Sequence, residues 1–151
     1  MKHPQLLVLL FLLTFLLSAQ EPSLNTGLSA DEEYSFVGMT LEELIERFGA
    51  PEMVFSTRGN EIWQDDVVFQ YAGVDFYIYR DRVWQVKFAS THGISNGDTK
   101  AVVLLVLGFR AEDRGDHVLL PVTGRGWPLM LRVNFNNLWQ VTAIFLYRPD
   151  F

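Results

Sequence analysis

"GMTLEELIERFG" runs from Gly38 to Gly49, and "GDTKAVVLLVLG" runs from Gly97 to Gly108. A Gly-x-Thr opening and a closing Gly recur at one constant displacement, and Leu44 and Phe48 fall where Val103 and Leu107 stand later. In the first stretch the Thr40 hydroxyl is placed to accept a free amide of a first helical turn, and Glu43 completes a capping box. Glu42 and Glu43 also complement the positive end of a helix. Leu41, Leu44, Ile45 and Phe48 repeat at i, i+3, i+4 and i+7, which is one apolar stripe. Gly49 suits a positive-φ stop, and Pro51 prevents continuation. The second stretch has Thr99 as the equivalent cap, with no acid behind it. Ala101 to Leu107 is apolar all round. As a helix, it is expected to be covered on every side, between the two halves of the chain.

Strand signals follow each helix. The first set covers 52–55, 60–64, 67–71, 74–79 and 83–88; the second covers 118–122, 129–135 and 138–147. Thr57 to Asn60, Arg80-Asp81-Arg82, Gly124-Arg125-Gly126 and Asn136-Asn137 read as turns. "DRVWQVKF" (81–88) and "NNLWQVTA" (136–143) repeat Trp-Gln-Val, which sets Trp84 against Trp139 as matching strand positions. The pattern predicts an α+β fold of two tandem repeats. Each is a short N-terminal helix packed on a three- to four-stranded antiparallel sheet. Repeat 1 is 38–90, a polar connector is 91–96, and repeat 2 is 97–151. A sheet with helices on one face leaves its other face to solvent or a partner.

The front of the chain reads differently. Leu6 to Leu17 is apolar with Thr14 as its one interruption, Lys2 precedes it, and small polar residues follow. That is a secretory signal peptide, taken as 1–19, with a linker at 20–37. An uncleaved anchor is the alternative, although the run is short for a membrane span. The 151 residues contain no cysteine, so the chain has neither disulfides nor a lipid-acceptor thiol. The expectation is a periplasmic or secreted protein with no stable membrane anchor after cleavage. A net charge of −6 makes nucleic acid a poor partner.

"GMTLEELIERFGAPEMVF" (38–55) resembles the opening of the SmpA/OmlA (BamE-like) domain, in which a Gly-x-Thr helix ends in Gly-x-Pro before a strand. The tandem arrangement resembles the β-lactamase-inhibitor protein (BLIP-like) architecture. The second half departs from the pattern, because Gly108-Phe109-Arg110 lacks the Pro. What the resemblance implies is a scaffold for protein–protein contacts in the bacterial envelope, as adaptor or inhibitor. BamE-like proteins are usually lipoproteins, and neither that anchor nor the inhibitor's disulfides carry over to a chain without cysteine.

The titratable residues suggest no reaction. His92 lies in the polar connector. His117 stands beside Asp116 at a strand entry, and Asp65-Asp66 reads as a loop acid pair. No metal-ligand spacing, phosphate-binding loop or nucleophile–base set stands out. No catalytic, metal or cofactor residue is therefore assigned, and no cofactor is expected. Aromatics are abundant at 14%, and Tyr, Trp and Arg are enriched where proteins bind one another. Tyr77, Tyr79, Trp127 and Arg132 are the partner-surface candidates, with another envelope or secreted protein as the expected partner. The expected function is an exported non-catalytic protein-binding module. The alternative is a small secreted enzyme or ligand carrier with a site between the repeats near His117 and Asp116.

Overall fold

Val74, Phe76 and Ile78 are buried while Asp75, Tyr77 and Tyr79 are only partly so. Leu129, Leu131 and Val133 alternate in the same way. This period of two gives a sheet with one covered face. The computed structural model describes residues 30–58, 66–122 and 126–150. The segment read as a signal peptide, 1–19, and the strand expected at 60–64 lie outside the described residues.

The elements are α1 (Ala30–Tyr34), α2 (Leu41–Phe48), β1 (Met53–Thr57), β2 (Asp66–Tyr71), β3 (Val74–Tyr79), β4 (Arg82–Phe88), β5 (Ser90–Thr91) and β6 (Ile94–Ser95). Then come α3 (Lys100–Leu107), a 3₁₀ turn (Gly108–Arg110), β7 (Glu112–Asp113), β8 (His117–Val122), β9 (Leu129–Phe135) and β10 (Val141–Tyr147). Eight strands form one sheet in the order β1-β2-β3-β4-β10-β9-β8-β7, and β5 and β6 form a separate ribbon. Every pairing is antiparallel. The fold is α+β.

The two long helices enter on the same hydrogen bonds. Gly38 N–H donates to Val83 O at 2.7 Å, and Gly97 N–H to Val141 O at 2.8 Å. Val83 N–H returns to Met39 O at 2.9 Å, and Val141 N–H to Asp98 O at 2.8 Å. Thr40 and Arg82 form a bridge, as do Thr99 and Gln140. These bonds match Val83 with Val141, not Val86 with Val141. The doubled Trp-Gln-Val therefore does not mark equivalent positions: Trp84 lies inside β4, while Trp139 lies in the turn before β10 with φ 60°. The turn is also longer than the two residues expected at Asn136-Asn137. Asn136 Oδ1 accepts from Leu138 N–H at 2.9 Å and Gln140 N–H at 3.0 Å. A side chain that stands in for backbone partners holds a wider loop and delays the strand.

The cap at Thr40 is a full capping box, with Glu43 reaching back to the Thr40 N–H. Thr99 makes no side-chain cap bond. The N-terminal linker is partly structured, since it contains α1, and Phe36 and Val37 are core residues. The polar connector folds as the β5–β6 ribbon.

Phe36, Leu44 and Val103 pack with the inward residues of β3, β4, β9 and β10 in one core. Under α2 that core is aromatic: Phe36 lies 5.4 Å from Phe48, 5.5 Å from Phe76 and 6.4 Å from Phe88, centroid to centroid. Under α3 it is aliphatic, built from Val103, Leu131, Val133 and Ile144.

Candidate interaction surface

The strand registers decide what the helix-free face of the sheet carries. Phe55 pairs with Val68, Val68 with Tyr77, Tyr77 with Gln85, Gln85 with Tyr147 and Tyr147 with Met130. That is one largely apolar row across six strands, in which Val68 is fully buried and offers no exposed surface. The next row runs Asp75, Lys87, Phe145, Arg132, and it is mostly charged. Lys87 Nζ meets Asp75 Oδ2 at 3.2 Å. Tyr77 and Phe145 meet edge to face at 6.3 Å, a favourable aromatic geometry. Burial pushes the Tyr77 phenol up, with the Asp75 and Asp66 charges adding to the effect, so it stays protonated and can donate.

A bulge between Tyr77 and Ile78 against β4 lets adjacent Trp84 and Gln85 both reach this face. Trp84 Nε1 donates to Asp66 Oδ1 at 2.9 Å. Asp66 is thus a buried acceptor in β2, not half of a loop acid pair. Trp84, Gln85, Arg132, Asn134, Phe145 and Tyr147 line an open hollow of about 350 Å³. Arg132 Nε donates to Asn134 Oδ1 at 2.7 Å in its lining.

Three of the four residues proposed from sequence lie on this face. Tyr77 and Tyr79 share it by alternation, and Arg132 sits across β10 from Lys87. Trp127 does not join them. It packs over Gly38, where an added Cβ would come within 2.6 Å of the indole, and Arg148 lies 5.3 Å over its ring. The Asp116–His117 pair is formed at 2.7 Å, but Asp116 is 80% exposed. The hydrogen bond from His117 holds the Asp116 carboxyl below its ordinary value.

Sequence reasoning missed His92. The α1 segment and the β5–β6 ribbon meet through it: Tyr34 Oη and His92 Nε2 lie 2.7 Å apart, and Thr91 Oγ1 and His92 Nδ1 also 2.7 Å. Thr91 Oγ1 donates to the buried Glu33 carboxylate as well. Burial raises Glu33 and lowers His92. Glu33 and His92 are far apart in sequence, so no local pattern could have joined them.

The largest departure from expectation is α3. It was expected to be covered all round, yet Val103 is its one buried residue. Leu104 and Leu107 lean on the core, while Val102, Leu105 and Val106 face outward. Leu105 is 83% exposed and the following Phe109 100%. An eight-residue helix rests on a sheet through one stripe, so its remaining faces stay open whatever their polarity. Lys100 pins its start, with Nζ 2.7 Å from Asp113 Oδ1, 2.9 Å from Gly115 O and 4.5 Å from the Trp139 ring centroid.

Among the described residues no group of three or more His, Asp or Glu side chains could hold a metal ion. Among them, too, no helix is long and apolar enough to cross a membrane. No family model matches the chain, and no curated protein matches it. Two solved structures are similar in part. One is an extracellular protein containing an SCP domain from Bacillus anthracis str. Ames, with a TM-score of 0.48 and 12% identity over 78% of this chain and 45% of that one. The chain thus spans under half of that protein's length. The other is a DUF4309 family protein from Bacillus subtilis subsp. subtilis, with a TM-score of 0.44 and 17% identity over 72% of this chain and 78% of that one. At these scores neither likeness bears on what the chain does.

Proposed function

We propose that the chain is an exported, non-catalytic protein-binding module, built from two tandem helix-and-sheet units of the BamE-like, BLIP-like kind. The observation that carries the binding reading is the outward face of α3. Leu105 and Phe109 stand in solvent on one short helix and the turn after it, with the half-exposed Val102 and Val106 on the same outward side. Single exposed apolar residues are ordinary, but a contiguous apolar patch marks a contact site. A helix offering aliphatic residues and one aromatic suits an apolar groove on another protein. Tyr77, Tyr79 and Arg132 supply a second, more polar contact area on the open sheet face.

The tandem reading is supported by the shared entry bonds of Gly38 and Gly97 and by a strand order that runs alike inward from both edges. Export, to a periplasmic or extracellular space, is supported by the apolar run Leu6 to Leu17 and the small residues after it.

The test is affinity capture from a bacterial envelope fraction with the mature chain and with a Leu105→Asp/Phe109→Ser variant. The expected result is a captured protein that the variant loses while its melting temperature stays unchanged. Equal capture by both chains sinks the role of α3, and capture by neither sinks the binding function. A second reading, a ligand carrier, is favoured by the hollow beside β9, because Asn134 on its wall pairs with His117. A ligand-induced rise in melting temperature that disappears in Arg132→Ala would select it.

A further inference from the structure

Tyr34, His92, Thr91 and Glu33 stand in line between α1 and the β5–β6 ribbon, and their donors and acceptors fix a direction. An ionised carboxylate only accepts, so the Thr91 hydroxyl gives its single proton to Glu33. Thr91 Oγ1 must then accept from His92 Nδ1, 2.7 Å away. A neutral ring protonated on Nδ1 has a bare Nε2, which accepts from the Tyr34 hydroxyl, also at 2.7 Å. The backbone shows that the ring is held in place. The ribbon turns through His92 and Gly93, at φ 55° and 73°, between the paired Thr91 and Ile94. Asn and Gly are the usual residues for a two-residue turn with positive φ. The His92 side chain is only 13% exposed and that of Glu33 5%.

We propose that these residues form a reversible proton relay, which takes up one proton as a unit and leaves His92 uncharged. The proton enters from water at Tyr34, which is partly exposed. Tyr34 passes its own proton to Nε2, Nδ1 passes its proton to Thr91 Oγ1, and Thr91 passes its proton to Glu33 Oε2. Glu33 is then neutral and donates to Thr91, Thr91 donates to Nδ1, and Nε2–H donates to Tyr34 Oη. Tyr34 keeps the proton that came from water. Every bond survives with donor and acceptor exchanged, and the net change is one proton gained and one carboxylate charge removed. The rival is an imidazolium beside an ionised Glu33, whose Oε2 lies 3.6 Å from Nδ1. That state keeps two charges in a buried site, where the relay keeps none. Burial raises Glu33 and lowers His92, so both shifts favour the uncharged pair. The other charges act at the Tyr34 end. Burial, then the Glu33 and Asp31 charges, push its phenol up against the opposing Arg110, so it stays protonated. From α3 the turn meets the apolar Val106 beside Gly93. On the ribbon itself, Asp98 is bonded to the Ser95 N–H.

The test is NMR of the histidine ring nitrogens through a pH titration of the full chain. His92 is identified by difference from His92→Asn, a residue that suits the turn, and Glu33 is followed through its carboxyl carbon. At neutral pH, His92 is expected to carry its proton on Nδ1. As Glu33 takes up its proton, the ring proton is expected to move to Nε2 at the same midpoint, with no imidazolium signal. In Thr91→Val, which removes the hydroxyl between them, the His92 tautomer is expected to stop following Glu33. An Nε2–H tautomer at neutral pH overturns the proposal. So does an imidazolium at the Glu33 midpoint, or two separate midpoints in the wild-type chain. A tautomer change that persists in Thr91→Val also overturns it, and the wild-type titration decides alone where that variant does not fold.

Discussion

α2 and α3 begin on matching hydrogen bonds and end on glycines at nearly the same backbone angles, φ 74° and 71°. Their outward faces differ in balance, since α2 exposes one large apolar residue, Ile45, among charges. α2 shows Glu42, Glu43, Glu46 and Arg47 to solvent; α3 shows Val102, Leu105 and Val106. One position in the fold thus tolerates both surfaces, so folding does not dictate the outer face. α2 is equipped to be a helix by itself, with a capping box and one apolar stripe. α3 has no side-chain cap, and it offers an apolar outer face instead. The half with the capped helix and the half with the apolar outer face are distinct.

The sharpest break of that comparison lies in the two cores. Phe36 touches three other rings under α2, so Phe36→Ala is expected to cost about 4 kcal/mol in denaturant unfolding. Leu131→Ala, in the aliphatic core under α3, is expected to cost about 3 kcal/mol. If the second substitution proves the costlier, the first half is not the anchor.

The lock between α1 and the β5–β6 ribbon comes next. Glu33→Ala removes a carboxylate acceptor for Thr91 in a buried site, and a hydrogen bond to a charged group is worth about 2 kcal/mol. The loss should appear as faster amide exchange in the two segments that the lock joins. Unchanged exchange there would mean that α1 is held by Phe36 and Val37 alone.

Some of this was legible in the residues. β3 and β9 fall where alternation put them, because burial on one face imposes a period of two. The capping box at Thr40 and Glu43 was also readable, since its partners are three residues apart. The outer face of α3 was not: hydropathy registers an apolar residue equally whether the fold or a partner covers it. The face chosen by Tyr77 depended on the register against β4, which the burial of Phe76 and Ile78 settles. Trp84 and Trp139 misled because identical letters were matched, whereas the hydrogen bonds match Val83 with Val141. The cluster around His92 joins distant segments that each read as polar linkers.

The caps give a smaller difference. Thr40→Ala removes a bonded cap and is expected to cost about 1 kcal/mol, whereas Thr99→Ala, which removes none, is expected to cost under about 0.5 kcal/mol. The gap carries a pH signature. Hydrogen bonds from the Thr40 backbone and hydroxyl hold the Glu43 carboxyl below its ordinary value. A lowered folded-state value means that this stabilisation is present above the unfolded carboxylate range and is lost as pH falls through the folded value. Thr40→Ala keeps the backbone bond to Glu43 and loses the hydroxyl bond, so the gap between the two threonine variants should narrow in acid, as read by melting temperature. A gap that stays constant with pH would show that the Thr40 hydroxyl adds nothing to the Glu43 carboxylate beyond what the backbone N–H gives it.

The smallest expected effect on stability is the most informative about function. Leu105 and Phe109 touch little of the core, so Leu105→Asp and Phe109→Ser are each expected within about 0.5 kcal/mol of the parent. Val103→Ala, on the same helix but fully buried, should cost visibly more. A helix whose buried residue is costly and whose exposed apolar residues are neutral holds those exposed residues for something outside the fold. If Leu105→Asp unfolds the chain instead, its apolar face is already covered within one molecule, and the contrast between the two helices loses its functional meaning.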